Sequence, residues 1–376
     1  MISLYIHLPF CRKKCVYCDF ASTSKTEDMD DYLRALGQEI DLYKEDLRDQ
    51  EIQTIYLGGG TPSVLGQERL VPLFEKIQES FKLSKDLEWT MEANPESGKN
   101  LDFQTLNQLG LNRVSMGIQS GQKNFLDLMG RIHSLEDVDA CLEQLAKSSI
   151  EEINGDFIFG LPGQDLNHVK KDLDYIQSLA LTHLSYYSFI PEEGTPLGEE
   201  VLSGLKKLPK DQEDRFMDHY IEDRLAELGY RQYELSNFTK KNPCRHNLAY
   251  WQVQDYLGLG LSAHSSYQSQ RWANTTCLSS YMEDLALDKK PISQREKLSD
   301  RDRLMEKIIL SLRLNRGIPV KDLEEGYGID FKKVFSKAIE KNIQAQSLEE
   351  VDGSYRLTRY GRDVANQVEL DFYRTF

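Results

Sequence analysis

Cys11, Cys15 and Cys18 fall within eight residues of the string HLPFCRKKCVYCDF. Three clustered thiolates suit a [4Fe-4S] cube with one iron left free of protein, and a metal centre short of one protein ligand is a working centre rather than a structural one. Zinc would need a fourth ligand, for which His7 is the nearest candidate, but His7 alternates with Tyr5 and Pro9 in an extended pattern. A disulfide is disfavoured because the first ten residues, MISLYIHLPF, lack the charged and small-residue signals of a secretory leader, so a reduced, cytoplasmic setting is expected.

Other chemistry-bearing residues recur at the ends of short apolar runs. Gly58-Gly59-Gly60-Thr61-Pro62 would let a ligand approach backbone N–H groups closely. Glu92-Ala93-Asn94-Pro95, Gly117-Ile118-Gln119-Ser120 and Asp156 to Pro162 end three further runs. Each alone reads equally well as a turn or a solvated strand end. In a parallel sheet all would gather at the carboxyl edge, where ligands bind.

The elements that must position them are six βα units. Strands are predicted at Leu4 to Leu8, Thr54 to Leu57, Leu87 to Ala93, Arg113 to Ile118, Ile153 to Phe159 and Leu184 to Phe189. Helical periodicity falls between them, at Asp30 to Leu47, Glu68 to Phe81, Asp102 to Leu109, Leu135 to Lys147 and Asp165 to Leu179. The fold class is α/β, a partial (β/α)6 barrel over residues 1–190, with an α+β extension over 191–290. Asp284 to Ser299 reads as a linker. Residues 300–376 carry helical patterns followed by a hairpin about Asp352-Gly353, which suggests a small winged-helix-like domain. With 376 residues, 40% hydrophobic and 28% charged, the chain can bury a large core, and no apolar stretch is long enough to cross a membrane. The net charge of −15, and 14 basic against 13 acidic residues from Arg301 onward, argue against nucleic acid as a partner.

Cys244, His246, Tyr250 and Trp251 in CRHNLAYW form a second constellation: an imidazole and a thiol for heme iron, with aromatic faces for a macrocycle. The alternative is that His246 and Asn247 brace a helix start while the aromatic residues pack in the core. His264, in GLGLSAH, either lines a cofactor pocket or is a hydrogen-bonded loop histidine. Cys141 and Cys277 have no partner at useful spacing and read as structural.

Taken together, CxxxCxxC with Tyr17 before the last cysteine, then GGGTP, ExNP, GIQS and DFIFGLPGQ resemble the radical S-adenosylmethionine (SAM) superfamily in its oxygen-independent coproporphyrinogen III oxidase-like branch. HLPFCxxxCxYCDF and CRHNLAYW are similar to the heme chaperone group of that branch. The resemblance implies a radical SAM barrel in which Cys11, Cys15 and Cys18 hold the cluster, while Tyr5, Gly59, Gly60, Thr61, Glu92, Gln119, Arg131 and Asp156 line the SAM site. It implies heme as ligand, with Cys244, His246, Tyr250 and Trp251 in contact. The partner would be an acceptor hemoprotein, through which any peripheral membrane contact would arise. An oxidase acting on a porphyrinogen is the alternative. It is disfavoured because Phe20 stands where the oxidases carry a fourth cysteine, and because the extension that precedes the first strand in the oxidases is not seen here.

Overall fold

The computed structural model describes residues 2–375. Its six predicted strands form in order and pair in parallel: β1 (Ile2–Leu8), β2 (Glu51–Gly59), β3 (Lys82–Ala93), β4 (Arg113–Gln119), β5 (Glu152–Phe159) and β6 (His183–Ser188). The predicted helices lie between them, with ends shifted by a few residues.

Strand parity explains the curvature and the location of chemistry. Leu4, Ile6, Ile55, Leu57, Trp89, Met91, Val114, Met116, Phe157 and Leu184 are buried and belong to one continuous core beneath the surrounding helices. The alternate residues are polar: Thr54 and Tyr56, Thr90 and Glu92, Arg113 and Ser115, Asn154 and Asp156, His183 and Ser185. Successive side chains on a strand point to opposite faces. The apolar face therefore packs on helices, and the polar face lines the concave interior of a partial barrel.

The extension continues this sheet at both edges. β7 (Arg231–Glu234) and β8 (Asn237–Thr239) add to β6 through β8. At the other edge β9 (Tyr256–Leu259) pairs parallel with β1, followed by β10 (His264–Tyr267), β11 (Gln270–Asn274) and β12 (Ile292–Lys297). β12 corrects the predicted linker, since Gln270 to Ala273 pair along it in register and Asn274 pairs after a register shift. Its sequence ISQREK has no apolar alternation because it is an exposed edge strand, and charged side chains are what keep such an edge from pairing with another chain.

A helix, Arg245–Trp251, packs across β2 on the concave face. Beyond the sheet, helices Asp300–Leu312 and Val320–Tyr327 precede two short helices, Phe331–Val334 and Ser336–Gln344. The hairpin β13 (Leu348–Val351) and β14 (Ser354–Leu357) turns at Asp352 and Gly353, both with positive φ, as a two-residue hairpin turn requires. These elements share a core of their own around Phe331, Phe335 and Phe372. Among the described residues no helix is long and apolar enough to cross a membrane. Cys141 is buried, as expected of a structural cysteine. Cys277 is not: it is exposed at the start of helix Leu278–Ala286, where hydrogen bonds with Ser279 and Ser280 bring its thiol down to about 7.

Candidate cofactor cleft and concave face

The cysteine loop leaves the end of β1 and is strapped back onto it. Thr23 N–H donates to the Pro9 carbonyl at 2.7 Å and Cys11 N–H to the Thr23 carbonyl at 2.9 Å. His7, on β1, reaches the Ala21 carbonyl through Nε2 at 2.8 Å. A carbonyl only accepts, so Nε2 carries the proton and Nδ1 accepts from the Tyr5 hydroxyl at 3.0 Å. His7 is thus a brace for the loop, not a metal ligand.

Cys11, Cys15 and Cys18, all half-buried free thiols, line one cleft of about 140 Å³. Gly59, Gly60, Thr61, Glu92, Gln119, Arg131 and Asp156 line the same cleft. Seven of the eight SAM residues expected from sequence therefore converge with the thiols. Tyr5 does not, because its ring stacks on Tyr56 and faces a different cavity.

The GGGTP turn works differently from the expectation. Gly59 N–H donates to Glu92, Gly60 N–H to the Leu8 carbonyl at 3.0 Å and Thr61 N–H to the Phe10 carbonyl at 2.8 Å, so these donors are spent inside the protein. The turn locks onto the base of the cysteine loop instead. A Cβ on Gly60 would stand 2.6 Å from the Leu8 oxygen, which is why glycine is needed. Thr61 Oγ1 accepts from Asn94 Nδ2 at 3.0 Å and lies 3.4 Å from Cys11 Sγ, where it can donate to a thiolate.

Burial raises the Cys11 and Cys18 thiols above their usual range, which disfavours free thiolates. The Arg131 guanidinium counters this. It approaches Cys15 Sγ at 3.5 Å and is fixed by the Asn94 side chain and the Gly117 carbonyl, both at 2.6 Å. Cation and hydroxyl donors beside three thiols suit an anionic iron-sulfur cluster. Among the described residues no three His, Cys, Asp or Glu side chains gather as closely as a single metal ion requires.

Two carboxylates face the cleft. Glu92 accepts from Tyr56 O–H at 2.9 Å and Gly59 N–H at 3.1 Å, yet burial pushes it up to about 7. Asp156, held by Ser115 and Asn154, is also raised by burial. Gln119 ends β4 with φ of 70°, a left-handed backbone that turns its side chain into the site.

Deeper in the barrel lies a lumen of about 320 Å³ that sequence reading did not identify. Arg113, 2% exposed, sits between Glu152 at 3.5 Å and Glu88 at 4.0 Å, while His183 bonds Asn154 and Tyr233. The signal was the polar half of each strand's alternation, where buried parallel strands are normally apolar throughout.

In the CRHNLAYW constellation the first two members are buried and bonded within the fold. His246 is 1% exposed, with Nδ1 2.8 Å from Thr54 Oγ1 and Nε2 2.9 Å from the Tyr250 hydroxyl, so both ring nitrogens are engaged. Burial holds it neutral, down to about 3. Cys244 is 3% exposed, its thiol donating to Glu88 and pushed up to about 12. Tyr5, Tyr56, His246, Tyr250 and Tyr256 instead stack or meet edge-on in one series. This aromatic wall divides the concave face into the lumen on one side and a groove of about 410 Å³ on the other. Tyr250, Trp251 and His264 line that groove, so His264 stands away from the SAM cleft.

Comparison with known proteins accords with this geometry. The Radical SAM superfamily profile matches residues 5–176 and the HemN C-terminal domain profile matches residues 298–364. The chain is 32% identical over 371 residues to the heme chaperone HemW of Bacillus subtilis, covering 98% of each. It is 33% identical over 368 residues to that of Lactococcus lactis, covering 97% of this chain and 96% of the relative. The solved coproporphyrinogen III oxidase HemN of Escherichia coli shares the fold, with a TM-score of 0.86 at 23% identity over 99% of this chain and 89% of that one. On the full-length identity to these relatives, the chain belongs to the heme chaperone HemW family of the radical SAM superfamily.

Proposed function

We propose that the protein binds heme and passes it to acceptor hemoproteins, holding a [4Fe-4S] cluster on Cys11, Cys15 and Cys18 and SAM in the adjoining cleft. The observation that carries this reading is the convergence of three thiols, GGGTP, Arg131 and two buried carboxylates in one cleft, in a chain whose full-length relatives are heme chaperones. When bound, cluster and SAM supply one-electron chemistry at a sulfonium; the protein supplies position and charge. Arg131 would offset the negative charge of a bound cluster, and the Thr61 hydroxyl would donate to the Cys11 thiolate. Glu92 and Asp156 would accept from the ammonium or ribose hydroxyls of SAM.

The test is anaerobic reconstitution followed by hemin titration with and without SAM. A saturable Soret band, transferable to an apo-hemoprotein, is expected. Release of carbon dioxide from coproporphyrinogen, with cleavage of SAM, would favour the oxidase reading instead.

A further inference from the structure

We propose that heme docks in the groove outside the aromatic wall, not in the barrel lumen, and that His264 is its iron ligand. This deepens the heme-binding reading and depends on it.

Four independent features of the groove support the assignment. His264 is exposed at the start of β10 and lines the groove, and its side chain makes no hydrogen bond or ion pair among the described residues, unlike those of His7, His183 and His246, whose two ring nitrogens are engaged. An unengaged imidazole is what an axial ligand must be. The walls are flat and apolar, with Tyr5, Tyr250, Trp251 and Tyr256 available to a planar macrocycle.

The groove also holds unmet hydrogen-bonding capacity. Trp251 Nε1 and Ser262 Oγ are both shielded from solvent and without partners, and both residues line the groove. Buried donors are almost always satisfied, so these orphans are capacity that a ligand could use, as Thr90 Oγ1 and Arg113 Nη2 are in the lumen. The carboxylate of a porphyrin propionate can accept from both groove donors. The local charge is already balanced, since Arg271 in the same groove pairs with Glu306 from helix Asp300–Leu312. Heme therefore need not displace an unpaired charge.

Backbone strain gathers there as well. Val253 and Ser262, neither of them glycine, have φ of 54° and 58°. A β-branched residue in the left-handed region is a true outlier, and such strain concentrates at ligand sites.

The lumen is the poorer host. Asn154, His183 and Ser185 are bonded to one another there, Arg113 is paired with Glu88 and Glu152, and the lumen communicates with the SAM cleft through the shared residues Glu92, Gln119 and Asp156. An open groove leaves one edge of a macrocycle in solvent, which suits a ligand that must be handed on.

The experiment is hemin titration of full-length, cluster-reconstituted protein, comparing wild type, His264→Ala and His264→Gly. The His264 side chain makes no bond among the described residues, so both variants should keep the wild-type melting temperature and SAM binding. The expected result is a fall of about tenfold or more in hemin affinity and a shift of the ferric Soret band from its histidine-ligated position, which added imidazole reverses in His264→Gly. Hemin binding by His264→Ala with unchanged affinity and spectrum would overturn the assignment while leaving the heme-binding reading intact. Competition between SAM and hemin for one site would also overturn it. If wild type takes up no hemin, the functional reading itself fails.

Discussion

His7 and Ala21 join the first strand to the cluster loop: the imidazole Nε2–H donates to the Ala21 carbonyl at 2.8 Å, with Tyr5 fixing the other ring nitrogen. Groove and cluster loop thus meet at one histidine, because His7 and Tyr5 also line the groove. His7→Ala removes this strap, a loss of about 1 kcal/mol for the hydrogen bond plus the cost of the void. Iron and sulfide per chain after reconstitution should fall while secondary structure is retained.

Glu92 sets a pH dependence whose sign follows from burial. Its folded value, up to about 7, lies above that of an exposed carboxyl, so its contribution to folding is full below the unfolded value and lost as pH rises through 7. Binding of cationic SAM favours the charged form, so SAM affinity should weaken as pH falls from 8 to 6, approaching about tenfold per unit for one coupled proton. Isothermal titration at several pH values checks this. Glu92→Gln should bind weakly and flatten the profile.

His246→Ala should act on the fold rather than on the iron. It breaks the contacts with Thr54 and Tyr250 and opens a void beside Tyr56. A loss of about 2–4 kcal/mol is expected, read as a lower melting temperature. A variant that melts like wild type but loses the Soret band would show that His246 is a ligand after all.

Gly60→Ala should push the GGGTP turn off the cysteine loop, since the added Cβ meets the Leu8 oxygen and the Pro9 carbonyl carbon at 2.6 Å. A destabilisation of about 1–3 kcal/mol with reduced cluster incorporation is the expected outcome, measured by thermal denaturation and iron content.

Cys277 is the thiol most open to alkylation away from the cleft. Exposed and brought down to about 7, it should react with iodoacetamide at a rate that rises through neutral pH, and peptide mapping should find Cys141 and Cys244 unlabelled.

The six parallel strands and the cleft were legible in the sequence because both depend on local pattern. Apolar runs mark strands, and motifs at their ends must share one edge of a parallel sheet, so Cys11, Thr61, Glu92 and Asp156 could be grouped without knowing any distance. Arg131 joined them through resemblance alone, and tertiary contacts with Cys15 and Asn94 gave it its role.

What only the tertiary structure decided was which side chains were already satisfied. The donors of GGGTP, both nitrogens of His246 and the thiol of Cys244 carry the right chemistry in sequence, yet contacts from Leu8, Phe10, Thr54 and Glu88 consume them. His264 looked no more promising than they did, and it remains open. Residue type sets what a group can bind; occupancy of its lone pairs and protons is set by neighbours far away in the chain, such as Thr54 and His246, 192 residues apart.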